Sequence, residues 1–326
     1  MKIGLFNVLP LITKIRYPRY INLYNAFKLL GHDILFNNFD VDIIFYRMTD
    51  PKLDLKFMEY ANNMKKPTIY DFYVGLYIKE YLEAAKLATK VITHSKSEAL
   101  RLGDLISRSD IIPIYCVPDC STFTPEVPPK IKNSGPIFIY HGSFTYCTQI
   151  QLAIRAFIEV LKKYPSALFY LIGYSKRKDI DPESGRINDI GEQCKRLSEG
   201  IPQVKYIEPV WIPEIVGYLN SARIYLSSFG GSIKAQCTAR SGMFEAMACA
   251  RTIITSDTLE NRNFIENGKT GFLVQPDDFK TIAEVILYIL DNKINTGPLA
   301  RESLIKRDLV ASRYIPSLIK LDFLTP

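Results

Sequence analysis

Residues 239–257 read ARSGMFEAMACARTIITSD, and this stretch decides how the second half of the chain folds. Its small and apolar residues predict a helix at 243–250, and the β-branched run at 251–257 predicts a buried strand directly after it. Glu245 is the only acidic residue before the end of that strand. A carboxylate in this position is solvated, caps a helix or contacts a ligand. Other features of the sequence are needed to distinguish these three roles.

Strand-like and helix-like segments alternate on both sides of a central break. The first half has short apolar strand candidates at 2–7, 32–36, 42–47, 67–71, 90–95 and 110–117, and helical patterns at 17–31 and 78–88. The second half has strand candidates at 136–142, 167–173, 204–207, 222–228, 251–257 and 270–274, and helical patterns at 151–164 and 280–292. Several of these strands are continuously apolar, which is typical of a parallel sheet covered on both faces.

The central break is the segment 118–136, whose five prolines and weak periodicity predict a linker. We therefore predict an α/β protein of two Rossmann-like, doubly wound domains that face a cleft. The expected parts are an N-terminal domain at 1–125, a linker at 126–135, a C-terminal domain at 136–300, and a C-terminal helix at 301–326 that packs back on the N-terminal domain. Ligands of such sheets bind at the carboxyl ends of the strands, so the cleft is the expected site.

Composition and charge narrow the class of protein. The chain has 326 residues, 47% of them hydrophobic, which is ordinary for a soluble protein with more than one core. Its net charge of +7 is spread along the chain rather than grouped, which argues against a nucleic-acid partner and is compatible with a phosphorylated ligand or peripheral membrane contact. The six cysteines and three histidines lack metal-site spacing, and the apolar start predicts a strand rather than a signal peptide. We expect a cytoplasmic protein, with peripheral membrane contact as an alternative.

Three motifs in the second half resemble a known family. They are IFIYHGSFTYCTQIQLAIRAF (137–157), FEAMACARTIITSD (244–257) and ENGKTGFLVQPDD (266–278), and their order and spacing are similar to those in the nucleotide-binding domain of GT-B glycosyltransferases of the retaining family 4 type. The first half matches mainly in architecture. The resemblance implies a donor site for a nucleotide sugar in the second domain, an acceptor site in the first, and a reaction that needs neither a metal nor another cofactor.

The resemblance also assigns roles to individual residues. It implies that Glu245, at the start of the predicted helix 243–250, accepts hydrogen bonds from the ribose hydroxyls of the donor, while the N-terminus of the same helix favours the diphosphate. Gly142 stands at the family's glycine turn, and Tyr174 follows the next strand of the donor site. The alternative for Glu245 is a glutamate that only stabilises the positive end of the helix.

Three positions depart from the family pattern. Cys237 replaces the first motif glutamate, eight residues before Glu245, so sugar recognition cannot be carried over. Ser143 and Thr148 stand where two basic residues usually hold the diphosphate. Lys234 and Arg240 are the expected replacements, unless they belong to a solvated loop.

The run at 176–178 is basic as well, and we expect it to be solvated. In the first domain, the loop at 7–20 contains no glycine, so the acceptor geometry of the family does not transfer. Asp71 ends a predicted strand that faces the cleft, and we predict a catalytic contact with the acceptor for it, with capping of the next helix as the alternative.

The predicted function is transfer of a sugar from a nucleotide-sugar donor to a glycan, lipid or protein acceptor, with retention and without a metal. One alternative is a degenerate GT-B protein that binds a nucleotide or a partner without transferring sugar, which the changes at Cys237, Ser143 and Thr148 favour. The other is a different Rossmann-type enzyme, such as a dehydrogenase or an epimerase. No GxGxxG motif follows any predicted strand, which argues against dinucleotide binding.

Overall fold

The computed structural model describes residues 1–7, 18–72, 77–173, 179–180 and 187–310. The chain divides into two compact units, of which the first comprises Met1–Val117 and is rejoined at Val310, while the second spans Pro118–Leu309. The boundary therefore lies between Val117 and Pro118, eight residues before the end predicted for the first domain.

The proline-rich segment belongs to the second unit. The backbone N–H of Lys130 donates to the carbonyl of Gly217 at 2.9 Å, and that of Ile131 donates to Ser221 Oγ at 2.8 Å. The side chain of Asn220 donates to the carbonyls of Thr124 and Val127. These hydrogen bonds attach the segment to one helix of the second unit, so it is packed against that unit rather than unattached.

The first unit is built on one six-stranded parallel sheet. Its strands are β1 (Lys2–Phe6), β2 (Asp33–Phe36), β3 (Ile43–Arg47), β4 (Thr68–Asp71), β5 (Lys90–Thr93) and β6 (Ile112–Pro113), in the order β2-β1-β3-β4-β5-β6. Its helices are α1 (Pro18–Leu29), α2 (Pro51–Asn63), α3 (Lys79–Leu87) and α4 (Lys96–Ile106). The strand predicted at 110–117 is reduced to two residues in β6, at the edge of the sheet.

Two of these helices begin at a residue whose side chain caps the helix N-terminus. The side chain of Asp50 accepts hydrogen bonds from the N–H groups of Lys52 and Leu53, and that of Ser95 accepts one from Glu98. Such N-caps satisfy backbone donors that have no partner inside the helix.

A buried carboxylate joins α2 to the sheet. The side chain of Asp54 has no exposed surface and accepts hydrogen bonds from the hydroxyls of Tyr46 and Tyr70, at 3.0 and 2.7 Å. The backbone N–H and hydroxyl of Thr49 and the N–H of Asp50 donate to the same carboxylate. Tyr81 donates to the carbonyl of Thr49 and extends this network, which we call the Asp54 network.

The Asp54 network predicts that the first unit loses stability in alkali. Burial, and then the negative charge of Asp54, raise the pKa of Tyr46 and of Tyr81 from 10.0 to about 12, and raise the pKa of Tyr70 as well. Because these pKa values are higher in the folded chain, the stabilisation is complete below pH 10 and is lost as the pH rises towards 12. We expect tyrosinate absorbance and loss of circular dichroism to appear together in this interval. Ionisation of all tyrosines near pH 10 in a folded sample would contradict the prediction.

The second unit repeats the architecture with a second six-stranded parallel sheet. Its strands are β7 (Ile137–His141), β8 (Leu168–Ile172), β11 (Val204–Ile207), β12 (Ile224–Leu226), β13 (Thr252–Ser256) and β14 (Phe272–Val274), in the order β11-β8-β7-β12-β13-β14. Two short antiparallel strands, β9 (Asp179–Ile180) and β10 (Ile187–Asn188), form a separate pair.

The helices of the second unit are α5 (Ile150–Leu161), α6 (Ile190–Leu197), α7 (Ile212–Ser221), α8 (Ile233–Gln236), α9 (Ser241–Ala248), α10 (Phe279–Asp291) and α11 (Gly297–Lys306). Helix α5 carries its apolar residues at helical spacing and buries Phe157 between Phe138 and Phe169, with ring centroids 5.5 Å from each. Helix α11 contains the start of the C-terminal helix predicted at 301–326. The side chain of its Arg301 donates to the carbonyls of Phe123 and Ala248 within the second unit, and residues 311–326 lie outside the described residues.

The strand order places a switch point in each sheet. In the second unit the connections from β7 lead through β8 to β11 on one side, whereas β12, β13 and β14 follow on the other. The carboxyl ends of β7 and β12 therefore diverge into loops that run in opposite directions. Such a switch point is where an open parallel sheet binds its ligand. In the first unit the corresponding point lies between β1 and β3.

Candidate functional site

The carboxyl end of β7 is the centre of the candidate site in the second unit. His141 ends this strand, and Gly142 follows with φ of +135°, a conformation that favours glycine. The N–H of Gly142 donates to the carbonyl of Ile172 at the end of β8. A Cβ atom on Gly173 would lie 2.7 Å from the carbonyl oxygen of Gly142, so the two glycine turns fit closely together. Tyr174 and the basic run at 176–178 lie outside the described residues, and the donor contact of Tyr174 stays a prediction.

The loop after Gly142 is held by its own hydrogen bonds. Ser143 is exposed, and its carbonyl accepts a hydrogen bond from the hydroxyl of Tyr140. The hydroxyl of Thr148 donates to the carbonyl of Thr145 at 2.7 Å and accepts from the N–H of Thr145 at 3.1 Å. Thr148 is fully buried, and its hydroxyl closes the turn of this loop. The donor contacts of Ser143 and Thr148 stay predictions.

Two cations from elsewhere in the unit reach this same loop. The guanidinium of Arg240, just before α9, lies with Nη2 3.0 Å from Cys147 Sγ and 3.4 Å from Thr145 Oγ1. The ammonium of Lys234, in α8, lies 5.6 Å from the centre of the Tyr146 ring, in a cation–π contact. The structure therefore brings Lys234 and Arg240 to the loop in which the family's two basic residues are missing. Their contact with the diphosphate stays a prediction.

Glu245 lies in the interior of α9 rather than at its start. Because the helix begins at Ser241, Glu245 is its fifth residue, and the predicted start at 243 is two residues too late. The alternative role as an N-terminal helix glutamate is therefore wrong. Glu245 is 7% exposed, and its Oε2 lies 2.5 Å from Nε2 of His141. Sequence reasoning missed His141, because a histidine at the end of an apolar strand gives no sign of its partner on a distant helix.

A glycine lets helix α9 approach β7 closely enough for this contact. A Cβ atom on Gly242 would lie 2.3 Å from the hydroxyl of Tyr225 and 3.0 Å from the His141 ring. Tyr225 is buried in the middle of β12 and donates a hydrogen bond to the carbonyl of His141 at 3.4 Å. The N-terminus of α9, the end of β7 and strand β12 thus meet at the switch point of the sheet.

Cys237 is buried and ends α8, and its N–H donates to the carbonyl of Ile233. A thiol in this position cannot replace the two acceptor oxygens of the family's glutamate. Among the described residues, no group of three His, Cys, Asp or Glu side chains is placed to hold a metal ion.

In the first unit, Asp71 ends β4 with its side chain fully buried. The Nε2 atom of His94 lies 3.8 Å from Asp71 Oδ1, and Arg47 is the register neighbour of Asp71 on β3. The next described helix, α3, begins after Ile78, so Asp71 is not its N-cap and that alternative fails for the described residues. The acceptor contact of Asp71 stays a prediction. No helix in the described ranges has both the length and the apolar character needed to cross a membrane.

Comparisons with solved structures show the same fold along nearly the whole chain. Sucrose-phosphate synthase from Thermosynechococcus elongatus is 17% identical with a TM-score of 0.70, and 98% of this chain and 97% of that chain are covered. Anabaena HepE in complex with UDP is 14% identical with a TM-score of 0.68, and 98% of each chain is covered. A glycosyltransferase from Rickettsia africae is 15% identical with a TM-score of 0.68, with 98% and 97% covered. The predicted GT-B class of fold is confirmed.

Residues 135–292, just under half of the chain, match the family model described as "Glycosyl transferases group 1". The second unit is therefore similar to this family, in agreement with the resemblance seen in its motifs. A search of curated proteins gave no significant match.

Proposed function

We propose that this protein is a retaining glycosyltransferase that moves a hexose from a nucleotide-sugar donor to a glycan, lipid or protein acceptor without a metal ion. The observation that carries the proposal is the convergence of Lys234 and Arg240 on the loop after Gly142. The family motif lacks its basic pair in this chain, and the fold supplies two other cations to the same loop.

The donor would be bound by complementary charge and hydrogen bonds. The diphosphate carries negative charge, which the guanidinium of Arg240, the ammonium of Lys234 and the N-terminus of α9 would stabilise. The carboxylate of Glu245 would accept a hydrogen bond from the ribose. Anabaena HepE has been solved with UDP and with UDP-glucose, which supports a uridine nucleotide as the first donor to test.

The same cations would assist the chemical step. When the bond between the sugar and the diphosphate breaks, negative charge grows on the leaving oxygen. Preorganised cations stabilise this charge more in the transition state than in the bound donor, and the difference accelerates the reaction. Asp71 in the first unit would contact the acceptor.

Replacing Glu245 by alanine tests the donor site. We expect the affinity for the nucleotide to fall by about tenfold or more, ~1.4 kcal/mol, because the ribose loses its acceptor. The measurement is calorimetry of wild type, Glu245→Ala and Glu245→Gln against UDP, GDP, ADP and their sugar conjugates, in the presence of a chelator. Glu284→Ala, on an exposed face of α10, is the matched control and should bind like wild type. Wild-type protein that binds none of these nucleotides would refute the proposal.

A second candidate is a GT-B protein that binds a nucleotide but transfers no sugar. The buried thiol at Cys237 favours it, since the family's sugar-contacting glutamate is missing there. Incubation with a nucleotide sugar distinguishes the two candidates. Release of the nucleoside diphosphate or transfer to an acceptor supports the enzyme, whereas tight binding without turnover supports the binding protein.

A further inference from the structure

The imidazole of His141 is held from three sides. Gly242 of α9 lies against its ring, close enough that an added Cβ would be 3.0 Å from Cε1. The ring of Tyr225 meets it edge-on, with centroids 5.4 Å apart, and the Tyr225 hydroxyl binds the carbonyl of the same residue. On the third side, Nε2 lies 2.5 Å from Glu245 Oε2. These contacts fix the direction in which the imidazole faces the carboxylate.

The contact requires a hydrogen between the two atoms. With the ring hydrogen on Nε2, the imidazole donates a hydrogen bond to the carboxylate. Without it, the lone pair of Nε2 would face a lone pair of the carboxylate oxygen, and the two would repel each other. The other ring nitrogen, Nδ1, is buried and has no hydrogen-bond partner among the described residues, so no neighbour there competes for the ring hydrogen. We therefore place the hydrogen on Nε2, where it orients Glu245.

The hydrogen bond uses one of the two carboxylate oxygens. Within the described part of the chain, Oε2 of Glu245 is bound by His141, and Oε1 has no partner. A carboxylate with two open oxygens can accept from both hydroxyls of a ribose. When one oxygen already accepts from the imidazole, the other oxygen is the more available acceptor and faces the ribose in one fixed direction.

We infer that His141 is a positioning residue for the donor nucleotide, holding Glu245 so that its remaining oxygen selects one ribose hydroxyl. The inference rests on the proposed function, because it requires a nucleotide at this site. It adds a specificity: removing one of the two ribose hydroxyls should weaken binding strongly, and removing the other should weaken it little.

Binding of UDP-glucose and of its 2′-deoxyribose and 3′-deoxyribose analogues tests the inference. In wild type we expect one analogue to bind about tenfold more weakly than UDP-glucose, ~1.4 kcal/mol, and the other to lose less than about threefold. In His141→Phe the carboxylate loses its donor and can turn, so the two analogues should become nearly equal. His141→Gln keeps an N–H donor near the position of Nε2 and should restore the unequal pattern.

The comparison of analogues separates positioning from folding. A purely structural role for His141 would lower the affinity for all three ligands by the same factor in His141→Phe. That result, or equal losses for both analogues in wild type, would overturn the inference while leaving the proposed function standing. If wild type binds none of the nucleotides in the screen of UDP, GDP and ADP, the proposed function fails first and this inference falls with it.

Discussion

Replacing Arg240 by alanine is expected to weaken the binding of a nucleoside diphosphate by roughly tenfold to a hundredfold, while the binding of the corresponding nucleoside stays unchanged. The guanidinium lies beside Cys147 and Thr145, in the loop where the basic pair of the family is missing. A hydrogen bond to a charged group contributes about 1.5–3 kcal/mol, which corresponds to this range of affinities. The nucleoside has no phosphate and therefore serves as an internal control.

Turnover should fall further than affinity in the same variant. Charge on the diphosphate increases as the sugar leaves, so a cation that binds the ground state stabilises the transition state more. We expect kcat to decrease together with kcat/KM in Arg240→Ala. Lysine keeps the charge but not the planar fork of donors, so Arg240→Lys should recover only part of the loss.

The matched control is Arg155→Ala, which removes an exposed arginine from α5 of the same unit. Its guanidinium lies over the ring of Phe279. Calorimetry at two salt concentrations completes the experiment, because a lost phosphate contact reduces the dependence of affinity on salt. If Arg240→Ala and Arg155→Ala bind UDP equally well, Arg240 does not contact the diphosphate.

The sequence predicted the architecture because the same local pattern, an apolar strand followed by an amphipathic helix, recurs along both domains. Continuous apolar runs such as 137–141 become central strands, and the amphipathic pattern at 280–292 becomes α10 almost to the residue. The strand at 110–117 was overestimated because an apolar run does not reveal whether a neighbouring strand is available. Only Ile112 and Pro113 pair, on the edge of the sheet.

The candidate site was harder to predict because its contacts join residues about a hundred positions apart. Lys234 and Arg240 could be proposed from charge alone, since a diphosphate site needs cations. The contact between His141 and Glu245 could not, because it depends on how closely Gly242 lets α9 approach β7. The alignment could not show that the hydroxyl of Thr148 is used inside the turn, because it compares positions and not contacts.

Replacing Asp54 by alanine is expected to lower the free energy of unfolding by roughly 3–5 kcal/mol. The substitution leaves the hydroxyls of Tyr46 and Tyr70 and the polar groups of Thr49 without their common acceptor, in a region closed to water. Each buried donor left unsatisfied costs about 1–3 kcal/mol, and backbone adjustment recovers part of that sum. Asp54→Asn keeps the volume but turns one acceptor into a donor, so it should lose most of the same energy.

The measurement is a urea titration followed by circular dichroism, with the fluorescence of Trp211 as a second signal. Trp211 is the only tryptophan and lies in the second unit, so its transition reports on that unit, whereas circular dichroism reports on both. Asp104→Ala, on an exposed face of α4, is the matched control and should stay within about 0.5 kcal/mol of wild type. An Asp54→Ala variant as stable as this control would mean that the tyrosine hydroxyls find other acceptors. With the network intact, Asp54 holds α2 to the sheet and contributes to the stability of the first unit.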